Sequence, residues 1–296
     1  MATNPSATAK GDHYLEACDP LDSRQFLIAV KRLADSLSYG TDSSPFLGSG
    51  VEYVQSRQYE PGDPIKSIDW RVTARTSKFH VKEYEAPKCM PVYLLVDTSA
   101  SMTVSSSPMS KYAWALQIAG GIGFAALDRV SPVGVIGVGG SDVLVKPTLS
   151  RDRILQWLHR LRHYRYDEPT TLTQRIRELA PSLGSRAMLV AITDLHDPGA
   201  VEALKLVGQK HDVITLQMRD PAEDNLRGSG FFHGQEAETG KGFVTHGRRT
   251  WLDHAEVTAS LKTGGIDHLV IDTAEPFVHM IRHFFRSRGL LGKGAR

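Results

Sequence analysis

Cysteine is nearly absent from this sequence. There are two, Cys18 and Cys89, far apart and outside any CxxC pair, so they give no metal or redox signal; two isolated thiols suit a reducing compartment. Long apolar runs are missing as well. No stretch reaches about 18 apolar residues, so no transmembrane helix is expected, and the start, "MATNPSATAKGDHYLEACDP", lacks the apolar core of a secretory signal. An excess of charge of one sign is also lacking. A formal net charge of +2 argues neither for nor against nucleic acid, and the basic helix end "RHFFRSRG" reads as a solvated face, so no nucleic-acid partner is expected. These absences point to a cytoplasmic protein without a transmembrane segment, reaching a membrane only peripherally through partners.

What is present is enough apolar material for a sizeable core. With 41% hydrophobic and 23% charged residues over 296 positions, the chain suits one large domain plus an extension, or two domains. Residues 1–20 are small, polar and uneven, and read as a disordered tail. "DSRQFLIAVKRLADSLS" (22–38) has helical periodicity, with Asp22 or Ser23 as cap. A Gly/Pro/Ser-rich, charged segment follows and ends in the alternating "KFHVKEYE", an edge-type strand. Residues 21–89 are taken together as an N-terminal segment packing on the main domain.

From residue 90 the rhythm changes. "VYLLV" (92–96) and "AMLVAIT" (187–193) are continuous apolar runs, as strands buried on both faces of a parallel sheet require. "VGVIGVG" and "DVLVKP" read as a strand pair about a "GGSD" turn. Helices are expected over 111–130, 151–164, 172–184, 199–210 and 250–265, strands over 211–218 and 267–273, and a hairpin within 231–246. A last helix is expected over 275–289, stopped by Gly289. Gly120, Gly121 and Gly123 fall inside a helical pattern and follow no strand, which suits close helix packing and not a phosphate loop. The alternation over 90–289 predicts a doubly wound, mostly parallel α/β sheet flanked by helices, with an N-terminal helical and irregular/β extension and a basic tail at 290–296.

In such a sheet ligands collect beyond the carboxyl ends of the strands. Two apolar strands end there in an acid, Asp97 and Asp194. Ser99 and Ser101 alternate after Asp97 and can turn to the same side as its carboxylate. "EPTTL" adds Thr170 and Thr171 just before a helix start. Carboxylates and hydroxyls are hard oxygen ligands that suit Mg²⁺, with Mn²⁺ or Ca²⁺ as alternatives, and not zinc. The plainer reading makes Asp97 and Asp194 turn caps and leaves Ser105, Ser106 and Ser107 as loop. The His159/His163 and His279/His283 helix-face pairs lack any HExxH-type acid and are not read as metal sites.

D-x-S-x-S after the first strand, a Thr in a later loop and the Asp of "ITD" resemble the metal-ion-dependent adhesion site of von Willebrand factor A domains. The resemblance implies Asp97, Ser99, Ser101, Thr170 and Asp194 as the metal positions. Leu172 places Thr170 in the family's threonine role, with Thr171 as the alternative. A second resemblance covers residues 48–85, which are similar to the signature of the domain-of-unknown-function 58 family. Gly48, Gly50, Glu52, Arg57, Tyr59, Gly62, Asp63, Ile68, Asp69, Trp70, Ala74 and Arg75 all match it. That block reads either as structure, with Tyr59 and Trp70 packing and Arg57, Asp63, Asp69 and Arg75 in an ion-pair network, or as a partner-contact surface of arginines and aromatics. Many members carry two N-terminal membrane helices, which this sequence does not show.

Together the resemblances imply a non-enzymatic, metal-dependent protein-interaction module. Its partner would be a MoxR-type AAA+ ATPase, or a client offering an acidic side chain, in chaperone-like maturation or assembly. Two alternatives stand beside it. One is an Mg²⁺-dependent phosphohydrolase with Asp97 as nucleophile, although Ser99 occupies the position where a general acid would be wanted. The other is a metal-free scaffold that uses the "IDW" block alone.

Overall fold

The computed structural model describes residues 21–38, 53–63, 65–84, 90–140, 144–162, 168–224, 231–235, 242–246 and 253–291. The expected N-terminal tail, signature positions Gly48, Gly50 and Glu52, the turn residues 141–143, His163 and most of the basic tail lie outside them.

The first helix, α1 (Ser23–Ser38), starts at Asp22. The Asp22 carboxylate accepts the amides of Arg24 and Gln25 at 2.8 Å each, and Gln25 Oε1 accepts the Asp22 amide at 3.1 Å. This is a reciprocal capping box, which settles the start between the two candidate caps. A small unit follows: β1 (Tyr53–Gln58), α2 (Trp70–Thr76) and β2 (His80–Tyr84), with the strands antiparallel. β2 was expected, whereas β1 and α2 were not.

Six strands make the central sheet: β3 (Val92–Val96), β4 (Val133–Gly137), β5 (Leu144–Thr148), β6 (Met188–Thr193), β7 (Asp212–Arg219) and β10 (Asp267–Asp272). Their order is β10-β7-β6-β3-β4-β5, parallel throughout except for β5 at one edge. A separate antiparallel pair, β8 (Phe231–Gln235) and β9 (Gly242–His246), forms the expected hairpin. The remaining helices are α3 (Lys111–Asp128), α4 (Arg151–Arg162), α5 (Leu172–Leu179), α6 (Ala200–Gly208), the single turn α7 (Pro221–Asp224), α8 (His254–Thr263) and α9 (Val278–Leu291). The last runs through Gly289, which was expected to stop it. One glycine costs a helix about 1 kcal/mol, too little to end one anchored by buried Ile281 and Phe285.

Strand alternation divides the core in two. Val92, Leu94 and Val96 join α1, α3, α4 and α9 on one face. Leu95, Leu189, Ala191 and Val213 join α5, α6 and α8 on the other. α3 is buried nearly all round because α1 covers its outer side. A Cβ on Gly121 would lie 2.6 Å from Leu33, and one on Gly120 would lie 2.9 Å from Val30. The helical glycines therefore permit that close approach.

Among the described residues no helix is long and apolar enough to cross a membrane.

Candidate metal centre

The direction of chain winding reverses between β3 and β6, which are hydrogen-bonded neighbours while the chain from β3 runs outward to β4. This is the switch point where an open α/β sheet forms its crevice. Asp97 follows β3 and Asp194 follows β6. The Asp97 amide bonds the Ile192 carbonyl at 2.9 Å, continuing the ladder and fixing the acid on the rim.

Asp97 is fully buried. Its Oδ1 accepts the Ser99 amide at 3.0 Å, and its Oδ2 accepts the Thr193 hydroxyl at 2.5 Å. Burial first, then the negative charge of Asp194, pushes the Asp97 carboxyl up to about 7, against the opposing hydrogen bonds from Ser99 and Thr193. Ser99 Oγ and Ser101 Oγ lie 3.0 Å apart; the hydroxyls converge as expected, although through a 3-10 turn over Ala100–Thr103 capped by Ser99 and not through the extended loop expected from the sequence.

The threonine loop is tied to this loop through its backbone: the Ala100 amide donates to the Glu168 carbonyl at 2.8 Å. Thr171 Oγ1 donates to the carbonyls of Val138 at 3.0 Å and Gly139 at 2.8 Å. Thr170 Oγ1, in contrast, is buried and has no hydrogen-bond partner among the described residues. An orphaned buried hydroxyl is costly, and it marks Thr170 as the loop position with an unused oxygen. Gly139 closes the floor. A Cβ there would come within 2.3 Å of Thr98 Oγ1 and 2.5 Å of Glu168 Oε2, so this position has room for glycine alone.

Asp194 differs from Asp97 in its company. Lys111, at the start of α3, is fully buried, and its ammonium donates to Asp194 Oδ2 at 2.8 Å and to Glu223. Burial alone would push the Asp194 carboxyl up, but the adjacent Lys111 charge overrides it and, with His196, holds it well below the usual carboxylate range. Burial likewise pulls the Lys111 ammonium down, yet Asp194 and Glu223 together hold it above the ordinary lysine value. His196 Nδ1 lies 3.0 Å from Asp194 Oδ2, without the alignment of a good hydrogen bond. Asp194, His196 and Glu223 cluster tightly enough to suggest a cation site; the cation among them is the lysine ammonium. Leu195 sits in the left-handed region, φ 62°, where its amide reaches Thr193 Oγ1 at 3.1 Å.

The serine run is anchored too. The Ser106 amide donates to Asp220 Oδ1 at 3.0 Å, and the Thr273 hydroxyl to Asp220 Oδ2 at 2.8 Å. Lys111, Thr193, Glu223, His196 and Asp220 were not singled out from the sequence. A lysine opening a helix reads as a solvated end, and only the packed fold buries it.

In the signature block, Arg57 forks onto Asp63 with contacts of 2.7 and 2.6 Å. Asp69 is the N-cap of α2, accepting the amides of Arg71 and Val72 and the Ser56 hydroxyl. Gly62 adopts φ 116°, which glycine tolerates at a turn. Tyr59 meets Phe79 edge-on at 6.5 Å. Trp70 does not pack, contrary to the structural reading of that block, and Arg75 has no ion-pair partner among the described residues. The D-W of "IDW" carried the missed helix start, an aspartate before a seven-residue helical run.

Comparison with known proteins places these features in context. The uncharacterized protein Rv1480 of Mycobacterium tuberculosis and the uncharacterized protein Mb1516 of Mycobacterium bovis are each 27% identical to this chain over 222 residues, 73% of this chain and 70% of theirs. The crystal structure of the Deinococcus radiodurans RO (RSR) protein aligns with a TM-score of 0.35 and 16% identity, covering 90% of this chain and 49% of that one. A sequence model described as "Protein of unknown function DUF58" matches residues 55–257.

Proposed function

This chain belongs to the DUF58 family of proteins of unknown function, and from that premise we propose that it is a metal-ion-dependent protein-binding module of the von Willebrand factor A type, and not an enzyme. Asp97, Ser99, Ser101 and Thr170 would hold Mg²⁺, with Asp194 acting through water. Bound there, Mg²⁺ supplies a hard cation whose remaining coordination position takes a carboxylate from a partner.

One observation carries the reading. Asp97 is a buried carboxylate with no cation beside it among the described residues, whereas Asp194 has Lys111. A buried carboxylate costs stability unless it is paired or coordinates a metal. The converging serine hydroxyls and the orphaned Thr170 Oγ1 supply further oxygens of the right hardness.

The same geometry disfavours phosphoryl transfer. Ser99 stands where a general acid would be wanted, and Lys111 is spent on two carboxylates, its ammonium out of reach of solvent. The proposed partner is a MoxR-type AAA+ ATPase or its client, on family resemblance alone, in chaperone-like maturation or assembly.

The test is Mg²⁺ titration by calorimetry on the full chain and on Asp97→Ala, both checked for folding by circular dichroism. Binding that the substitution abolishes is expected, followed by EDTA-sensitive capture of a purified MoxR-type ATPase. Equal binding by the variant, or none by either protein, overturns the metal assignment. Metal-dependent hydrolysis of a phosphoester above background would favour the phosphohydrolase instead.

A further inference from the structure

The signature block of the β1–α2–β2 unit separates into residues that build and residues that are displayed. Arg57, Asp63, Ser56 and Asp69 are used internally, and Val81 is buried. Trp70 stands 64% exposed, Ile65 71% and Phe79 56%, large apolar side chains gathered in one short stretch of chain. Solvated alanine or serine would hold the α2 backbone as well, so the unit itself gives no folding reason for a tryptophan there.

The exposed charges within residues 65–79 have one sign. Lys66, Arg71, Arg75 and Lys78 are exposed, with no ion-pair partner among the described residues. The acid of the same stretch, Asp69, is buried as the helix cap. Trp70 and Ala74 lie one turn apart on α2, as do Arg71 and Arg75, and the four line a single shallow concavity.

We propose that the exposed face of α2 is a docking surface for an acidic segment of a partner protein, with an apolar side chain over Trp70 and carboxylates on Arg71 and Arg75. Tryptophan and arginine dominate the energetics of protein interfaces because both bury large area and bond directionally. A guanidinium matches a carboxylate with two parallel hydrogen bonds. Nucleic acid fits the surface less well. Ile65, the most exposed of the three apolar side chains, offers no face for base stacking.

Three labelled probes of equal negative charge test this against the full chain by fluorescence anisotropy: a peptide alternating glutamate with leucine and phenylalanine, an all-glutamate peptide, and a single-stranded oligonucleotide. The mixed peptide is expected to bind tightest, and Trp70→Ala with Arg75→Glu to weaken it about 10-fold or more, as hot-spot losses do. All measurements are made in EDTA, which keeps the carboxylate-binding metal centre out of the reading and so separates the two surfaces. Both variants lie on an exposed face, and unchanged melting confirms that they fold. Equal binding by the Trp70/Arg75 variant, no binding of the mixed peptide, or tighter binding of the oligonucleotide overturns the proposal.

Discussion

The ammonium of Lys111 sits 2.8 Å from Asp194 Oδ2, and both side chains are shut off from solvent. A second carboxylate, Glu223, shares the same ammonium. One end of α3 is thereby pinned to the ends of β6 and β7, beside the rim that carries Asp97. The two rim acids therefore have opposite electrostatics: Asp194 is compensated by Lys111, and Asp97 has no cation beside it among the described residues.

Removing the lysine should be costly. Lys111→Met removes the buried ammonium from both Asp194 and Glu223. Breaking a buried pair from one side costs about 3–5 kcal/mol. Urea unfolding at neutral pH should show a loss of this size, and Lys111→Met combined with Asp194→Asn should recover part of it. Equal stability of Lys111→Met and the wild type would show that the pair contributes nothing net.

The metal-free protein should lose stability as pH rises toward neutrality through Asp97. Its carboxyl is raised to about 7 from an ordinary 3.8, so between those values the folded state binds more protons than the unfolded state. The contribution is fully present below about pH 4 and lost as pH rises through about 7. His268 acts in the opposite sense over much of the same window. Burial first, then His254, lowers it to about 4, so its contribution is present above the ordinary histidine range and lost as pH falls toward 4. Urea midpoints in EDTA from pH 4 to 8 should change slope in opposite directions in Asp97→Asn and His268→Gln. A profile unaltered by Asp97→Asn would contradict the raised carboxyl.

Gly139 should tolerate no side chain. A Cβ there meets Thr98 Oγ1 at 2.3 Å and Glu168 Oε2 at 2.5 Å, and Thr98 Oγ1 already accepts the Gly139 amide at 2.8 Å. Gly139→Ala must displace the Thr98 and Glu168 side chains, which belong to the loops that carry Ser99 and Thr170. Overpacking of this sort costs about 1–3 kcal/mol, and Mg²⁺ binding by calorimetry should fall with it. Retained stability and binding would show that the two loops are not held at this point.

The α1–α3 contact should give a non-additive cycle. Gly121→Ala drives a methyl to 2.6 Å from Leu33, while Leu33→Ala opens a cavity in the same place. Each alone should lower the melting temperature, and the double variant should lose less than the sum, because the new methyl enters the space that Leu33 vacates. Strict additivity would mean that the helices are not in contact there.

Much of this protein is readable along the chain. The apolar runs ending in Asp97 and Asp194, and the helices between them, announce a mostly parallel α/β sheet because strands buried on both faces admit no polar alternation. The convergence of Ser99 and Ser101 was expected from two-residue alternation, but a 3-10 turn over Ala100–Thr103 brings it about. Asp69 as a helix cap was written in the sequence too, but a seven-residue helix carries too little periodicity to be recognised. Other features depend on long-range packing. Thr170 and Thr171 are equivalent in one dimension; the Val138 and Gly139 carbonyls, more than thirty residues away in sequence, take up Thr171 and leave Thr170 unsatisfied. Lys111 opens its helix like a surface residue, and only the arrival of β6 and the turn after β7 makes it a buried counter-ion. Trp70 looks like a core residue by composition and is displayed because Asp69, its neighbour, points inward as the cap. Local pattern determined the elements and the order of the rim residues. Tertiary structure decided which polar groups are satisfied, since burial and partnership are properties of what the rest of the chain brings to them.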